Sequence, residues 1–224
     1  MPVLPRSLLW RRLDTAGTEH ALLSEQSGLY ARGTMVAADP VPFTCGYELL
    51  VDEGWVSVRL AVTAEGAGWL RSVKLERAAG RWRVTAGERG DLDAALRLTG
   101  PGRARRQTPP SRTGHEVGEP PAALPGADDP ALLRDALDVD LGYCPLTNTP
   151  PVRRLGLLRA RPGTSATLTV AWVRVPSLQV VPARQTYTAL GGNQVRYQDE
   201  SFAADLTLDD SGYVVRYPEL AERA

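Results

Sequence analysis

Alternation between apolar and other residues recurs along most of this 224-residue chain and constrains its fold more than any other feature. It is clearest in Trp55–Val62, Thr167–Val175 and Phe202–Leu208. A side-chain period of two is typical of a β-strand that buries one face. In the first segment, the residues expected to share the buried face are Val56, Val58, Leu60 and Val62. These segments therefore predict strands with one face packed and one face exposed.

More strands are expected from the same pattern and from the Gly- and Pro-containing connections between segments. They are Leu8–Leu13, Ala21–Ser24, Leu29–Val36, Phe43–Val51, Leu70–Glu76, Arg81–Thr85, Leu178–Val181, Thr186–Leu190, Gln194–Gln198 and, after a tight turn at Asp209–Gly212, Tyr213–Tyr217. So many strands with almost no helical periodicity require a mainly β fold, either a sandwich or a large antiparallel sheet curled on itself. Short helices are expected at Pro130–Leu137 and Thr147–Leu155, where prolines stand near the first turn.

One segment, Thr99–Ala131, differs from the rest of the chain. It holds seven of the 18 prolines and five of the 21 glycines, and it has no aromatic residue. Such a composition cannot bury enough apolar surface to offset the entropy lost on ordering. The same alternation of apolar and other residues is found before and after this segment. We therefore interpret residues 1–224 as a single domain with a disordered insertion at about 99–131.

Charge and composition exclude several classes of protein. The 26 basic residues balance the 26 acidic ones, so the chain has no general electrostatic attraction to nucleic acid. No segment reaches the ~18 apolar residues that a membrane span requires, and the N-terminus lacks the apolar core of a signal peptide. A cytoplasmic protein is expected, in which Cys45 and Cys144 are reduced and mostly buried.

The segment Asp138–Leu155 carries the densest set of candidate functional residues. If its first four residues form a strand, Asp138 and Asp140 project from the same face and raise each other's pKa unless a cation intervenes. Arg153 and Arg154 follow a short turn and are the natural counterions. One reading is a polar end to an otherwise apolar pocket; the other is a buried ion pair that fixes the fold.

Catalytic patterns are weak. A hydrolase using Asp138 and Asp140 as acid and base is the less favoured alternative, because neighbours on one strand face rarely flank a bond from opposite sides. A nucleophilic pair of Cys144 and His20 has no acidic residue to orient it. The sequence contains no nucleophile elbow, no phosphate-binding glycine loop and too few histidines and cysteines for a metal site. We therefore expect a protein that is not an enzyme and has no cofactor or metal.

Later in the chain, three residues are candidates for ligand contact. Trp172 lies on the apolar face of its predicted strand, where it serves either the core or a ligand platform. Gln185 and Tyr187 share one strand face, from which both can hydrogen-bond a polar head or pair across strands.

Several motifs in order along the chain resemble one family. They are Trp10-Arg11-Arg12-Leu13; Tyr47-Glu48-Leu49 with Trp55 and Arg59; Asp138-Val139-Asp140-Leu141; Thr147-Asn148-Thr149-Pro150-Pro151-Val152-Arg153-Arg154-Leu155; Ala171-Trp172 with Pro176; Gln185 with Tyr187; and Phe202, Gly212 and Tyr217-Pro218. With them the chain resembles the bacterial family named putative glycolipid-binding proteins. The resemblance spans the chain outside Thr99–Ala131. It departs from the family at Pro150, where a leucine is usual, and in the length of the insertion.

The resemblance implies a fold and a kind of ligand. The fold is a spiral β-roll or half-barrel, in which a large antiparallel sheet curls around one short helix. The implied function is non-catalytic binding of a glycolipid or lipid-like molecule, in glycolipid metabolism or transport. The residues expected to bind it are Asp138, Asp140, Asn148, Arg153, Arg154, Trp172, Gln185 and Tyr187. The alternative is a structural or interaction module with a filled core, such as a homodimer formed through a flat sheet face.

Overall fold

A single 14-stranded sheet organises the protein in the computed structural model, which describes residues 6–99 and 123–224. The strands are β1 (Arg6–Arg12), β2 (Gly17–Ser24), β3 (Leu29–Ala37), β4 (Phe43–Val51), β5 (Ser57–Gly66), β6 (Trp69–Ala78), β7 (Arg81–Gly90), β8 (Asp138–Leu141), β9 (Ser165–Val173), β10 (Val180–Gly191), β11 (Gln194–Gln198), β12 (Ala203–Leu208), β13 (Val214–Tyr217) and β14 (Ala221–Arg223). Short connections join most neighbours in sequence, so consecutive strands pair antiparallel.

Neighbours in the sheet are also neighbours in the chain, except at one seam where β1 pairs with β14. The order is β7-β6-β5-β4-β3-β2-β1-β14-β13-β12-β11-β10-β9-β8, so β1 and β14 meet in the middle of the sheet. Trp10 on β1 strengthens this seam, because its indole N–H donates to the backbone oxygen of Val214 over 2.8 Å. The β8–β9 pair is parallel and all other ladders are antiparallel.

The sheet curls until its two ends approach each other. The backbone N–H of Ser57 on β5 donates to Leu137 just before β8 (2.9 Å), and the indole N–H of Trp82 on β7 donates to Ala136 (2.9 Å). Among the described strands no ladder joins β7 to β8, so the sheet stays open and is not a closed barrel. The predicted class, a mainly β protein with one large curled antiparallel sheet, is confirmed.

A short helical segment packs against β8 and β13 of the sheet. A 3-10 helix, Pro145–Asn148, runs into α2 (Thr149–Arg154), with prolines in the first turn of each. The side chain of Thr149 is buried and donates to the backbone oxygen of Gly212 over 3.1 Å, which ties the segment to the β12–β13 turn. The helix predicted at Thr147–Leu155 is confirmed in position, although its first turn is 3-10.

Two local predictions were wrong for reasons that the sheet makes clear. A register shift opposite Leu50 and Val51 puts Ser57 in the core and leaves Val58 half-exposed, so the alternation expected over Trp55–Val62 breaks. The strands expected at Leu178–Val181 and Thr186–Leu190 are one strand, β10. Pro182 does not interrupt it, because β11 pairs only with the later part of β10.

The flanks of the predicted insertion are also structured. The helix α1 (Leu92–Thr99), which the sequence analysis did not predict, begins after Asp91, whose carboxylate accepts from the backbone N–H of Ala94 (2.8 Å). After the gap, Gly126 bridges to Gln179, and a 3-10 helix covers Pro130–Leu133. The C-terminal end of the predicted insertion is therefore part of the fold. Residues 100–122 lie outside the described residues.

Candidate functional site

A pocket of about 500 Å³ opens at the β8 end of the sheet. Strands β8 to β11 form its wall, and the segment Asp140–Cys144 and Asn148 close it from the side of α2. Its volume lies within the range of about 300–1,000 Å³ that is usual for small-molecule sites. The densest motif of the sequence therefore borders a cavity of a size that suits a small molecule.

The floor of the pocket is polar and almost inaccessible to solvent. Asp140 accepts from the Thr147 hydroxyl (3.0 Å) and from the Gln185 amide nitrogen (2.6 Å). The Tyr187 hydroxyl lies within donating distance of Asn148 Oδ1 (3.1 Å) and Gln185 Oε1 (3.4 Å). All five side chains are more than nine-tenths buried, which fixes the orientation of the carboxylate and the two amides. A polar floor of this kind suits a ligand with hydroxyl groups.

The rim combines the Trp172 ring with charged groups of both signs. Trp172 is half-buried, and the guanidinium of Arg174 lies 4.7 Å from the centre of its ring. Arg174 also donates to the side-chain oxygen of Gln179 over 3.1 Å. Asp199 accepts from the backbone N–H groups of Ser201 and Phe202 (both 2.9 Å), so its loop is ordered.

Asp138 does not belong to this pocket. It is 1% exposed and pairs with Arg154 on α2. Burial raises the pKa of Asp138 to about 6, although the charge of Arg154 lowers it in part. Asp138 thus has the arginine counterion that the sequence predicts. The contact agrees with the hypothesis of a buried ion pair that stabilises the fold.

Arg153 points elsewhere as well. Its guanidinium stacks 4.1 Å from the centre of the Trp55 ring and donates to the backbone oxygen of Ser211 over 2.5 Å. Its second partner is Glu25, at 3.4 Å. Neither Arg153 nor Arg154 lines the pocket. The expectation that both arginines hold a polar head at one site with Asp140 therefore disagrees with the geometry, because packing against Trp55 and Asp138 turns them away.

A second polar cluster lies behind the pocket wall. Cys144, which lines the pocket, donates its thiol hydrogen to Glu19 Oε1 over 3.1 Å, and the Tyr47 hydroxyl donates to the same oxygen over 2.6 Å. Burial raises the pKa of Glu19 to about 7, whereas Tyr47, Cys144 and the charge of Arg12 lower it in part. Burial also raises the pKa of the Cys144 thiol well above its ordinary value.

With this geometry in place, comparison with known proteins decides the family. The model of a family described as "Putative glycolipid-binding" matches residues 7–223. The chain belongs to this family. A search of curated proteins gave no significant match.

A solved structure supports the fold of this glycolipid-binding family member. The crystal structure of a DUF1089 family protein from Pseudomonas aeruginosa is 21% identical, with a TM-score of 0.62 over 92% of each chain. At that identity the likeness concerns the fold. Within residues 6–99 and 123–224, every helix is too short or too polar to cross a membrane.

The structure thus brings together part of the predicted set. Asp140, Asn148, Trp172 and Gln185 line the pocket, and Tyr187 supports it from behind. Sequence reasoning missed other pocket residues: Arg174, Arg184, Asp135, Asp199 and Glu200. It also missed Thr147, which does not line the pocket but donates to Asp140, and which was detectable because it stands in the same motif as Asn148. The others lie in loops or on polar strand positions that carry no local signal.

Proposed function

We propose that this family member binds a glycolipid or lipid-like molecule in the pocket beside β8 and does not transform it. The observation that carries the proposal is the pocket itself, whose buried floor presents the Asp140 carboxylate together with the amides of Asn148 and Gln185. Oriented carboxylates and amides hydrogen-bond the hydroxyl groups of a sugar head, by accepting and donating respectively.

The walls supply apolar contact for an alkyl chain. Leu132, Val181, Ala183 and Leu220 line the pocket, and Leu132 is exposed at its edge. Each methylene group removed from water there contributes about 0.8 kcal/mol. A sugar on the polar floor and the first methylenes against these walls would occupy the volume together.

Two features of the site support binding without catalysis. Asp138 is engaged by Arg154 outside the pocket, so Asp138 and Asp140 do not face one another across a space for a scissile bond. A raised pKa keeps the Cys144 thiol protonated, and the protonated thiol is a poor nucleophile. Both features weaken the two enzymatic alternatives that the sequence offers.

Native mass spectrometry of gently purified protein tests the proposal. Wild type should carry adducts of lipid mass. Ala183→Phe, which places a ring in the pocket, should lose them. Ala61→Phe adds the same bulk on β5, outside the pocket, and should keep them. Bare wild-type protein in several preparations, or equal adducts on both variants, would contradict the proposal.

One surface feature favours the alternative of an interaction module. Leu9, Tyr30, Val36 and Leu50 on β1, β3 and β4 are each more than a third exposed, and Tyr30 is the cross-strand partner of Leu50. A second copy of the chain would cover this outer sheet face in a homodimer. Sedimentation at increasing protein concentration, with Tyr30→Glu as the disrupting variant, tests this alternative. A monomer throughout contradicts it.

A further inference from the structure

An open groove of about 540 Å³ lies where β4 and β6 end and β5 and β7 begin. It shares no lining residue with the pocket beside β8. One carboxylate, that of Glu76, lines it together with four guanidinium groups, those of Arg59, Arg77, Arg81 and Arg83. We call this cavity the arginine groove.

The strand register concentrates positive charge on the outer sheet face at this groove. Arg59, Glu76 and Arg83 are cross-strand partners on β5, β6 and β7, so their side chains lie in one row on the same face. Glu76 is already paired with Lys74 over 2.6 Å. Arg59 pairs with Glu48 over 3.0 Å. With these two partners included, five cations face two carboxylates, although the chain as a whole is neutral.

Three arginines of the groove keep donors that the described protein does not use. Within residues 6–99 and 123–224, no carboxylate forms an ion pair with Arg77, Arg81 or Arg83. Arg81 and Arg83 are exposed, and the half-buried Arg77 has an Nε without an acceptor in this part of the chain. The charge of Arg77 reaches Asp138, but the ion-pair partner of that carboxylate is Arg154. Such guanidinium groups suit phosphate, which accepts the parallel N–H bonds of the guanidinium fork.

Exposed apolar side chains continue the row beyond the groove. Leu50 lines the groove at 38% exposure, and its cross-strand partners are Arg59 on β5 and Tyr30 on β3. Tyr30 is itself 43% exposed. Tyrosine rings favour the head-group level of a bilayer, and arginines are attracted to a surface of anionic lipid. The row from Tyr30 to Arg83 therefore combines side-chain types that adsorb to anionic phospholipid.

Other occupants fit this row less well. A second copy of the chain, meeting the same face about a twofold axis, would oppose two surfaces of the same positive charge. A free phosphate ion would engage the arginines but leave Tyr30 and Leu50 in water. A bilayer that contains anionic lipid satisfies both the charged and the apolar part of the row.

We propose that the arginine groove, together with Tyr30 and Leu50, docks the protein on the surface of a membrane that contains anionic phospholipid. The guanidinium groups bind head-group phosphates, and the leucine and tyrosine side chains enter the interface beside them. Docking on this face needs no occupant in the pocket beside β8. It therefore goes beyond the proposed function and is tested separately from it.

Sedimentation of the full-length protein with vesicles tests the docking. One set of vesicles is phosphatidylcholine alone, and the other is an equal mixture of phosphatidylcholine and phosphatidylglycerol. The mixed vesicles should bind the protein at least tenfold more tightly, and added salt should weaken that binding. Equal binding to both sets, or binding that salt does not weaken, overturns the inference.

Matched variants locate the docking surface. Arg81→Ser combined with Arg83→Ser removes two exposed charges from the groove and should weaken binding to the mixed vesicles at least tenfold. Arg159→Ser combined with Arg161→Ser removes two exposed charges that follow α2, outside the groove, and should change binding little. Equal losses in the two double variants would show that net charge alone drives adsorption, which overturns the assignment to the groove.

Three further measurements separate the competing occupants. Glycerol phosphate, a soluble head group titrated by calorimetry, should bind far more weakly than the mixed vesicles; comparable affinity would identify a soluble ligand. Ala183→Phe, which fills the pocket, should bind vesicles as wild type does; a loss would assign adsorption to the pocket. Sedimentation without vesicles should show no dimer that is lost in Leu50→Ser, since such a dimer would assign the face to a second copy. Each of these contrary results overturns the inference.

Discussion

The Cys144 thiol and the Glu19 carboxylate share a hydrogen bond of 3.1 Å in the core, although 125 residues separate them in the chain. Glu19 comes from β2, near the middle of the sheet, whereas Cys144 follows β8 at its end. The curl of the sheet brings them together. The contact places a buried acid directly behind the wall of the pocket beside β8.

Stability should therefore fall as the pH rises through neutrality. The pKa of Glu19 is about 7 in the folded protein and near 4.5 as its ordinary value. Between these values the folded state binds more protons than the unfolded state, so a rise in pH lowers the free energy of unfolding, by roughly 3 kcal/mol in total. Urea unfolding of wild type and Glu19→Gln from pH 4 to pH 8 measures this change. The free energy of unfolding of the variant should increase relative to that of wild type as the pH rises.

This pH series needs a control, because Asp138 also has a raised pKa. Asp138 therefore makes the free energy of unfolding fall with rising pH in wild type and in Glu19→Gln alike. Glu48→Gln removes a carboxylate that is exposed and paired with Arg59, so its difference from wild type should stay constant. A constant difference for Glu19→Gln as well would mean that Glu19 ionises in the folded protein as it does in water.

Removing Arg154 should destabilise the protein most at high pH. Arg154→Met leaves the Asp138 carboxylate buried without its ion-pair partner, which costs about 3–5 kcal/mol when the acid is charged. The pKa of Asp138, already raised to about 6, should rise further, so the deficit should shrink at pH 5. Chemical unfolding at pH 8 and pH 5 checks both values. The double variant with Asp138→Asn should recover part of the loss, and a deficit that does not depend on pH would refute this explanation.

The strands were predictable because the alternation that identifies them is local. The Asp138–Arg154 pair was predictable for a similar reason, since both residues stand in one short motif of strand, turn and helix. Ser57 was predicted on the wrong face of its strand. The reason is a β-bulge, which depends on the pairing register with β4 and cannot be recognised from the alternation within β5 alone.

Contacts between distant strands were beyond the sequence. The bond between Asp140 and Gln185 requires β8 to add parallel to β9, next to β10, and no residue pattern specifies that order. The contact of Glu19 with Cys144 depends on how far the whole sheet curls. Arg153 and Arg154 were predicted to bind the ligand because arginine suits polar head groups. In the structure, however, the guanidinium of Arg153 stacks on the Trp55 ring.

Replacing Gln185 should affect both stability and ligand binding. Gln185→Met keeps the volume of the side chain but removes a donor to Asp140, which should cost about 1–3 kcal/mol of unfolding free energy. Binding of octyl glucoside should weaken at least tenfold in calorimetry. Gln198→Met on β11, where the side chain is exposed, is the matched control and should change neither quantity. Wild-type affinity in Gln185→Met would remove Gln185 from the site.

The last prediction concerns Gly33 on β3, over which the ring of Tyr47 lies. A Cβ atom at Gly33 would stand 2.4 Å from the Tyr47 hydroxyl oxygen, so Gly33→Ala must displace the ring and break its 2.6 Å bond to Glu19. Overpacking of this kind costs about 1–3 kcal/mol. Gly46 on β4 has open space at the same position, and Gly46→Ala should be neutral or stabilising by about 0.4–1 kcal/mol. Thermal and urea unfolding compare the two. Equal stability of both variants would show that Tyr47 does not cover Gly33 in solution, and the buried Glu19 would then lack its shortest hydrogen bond.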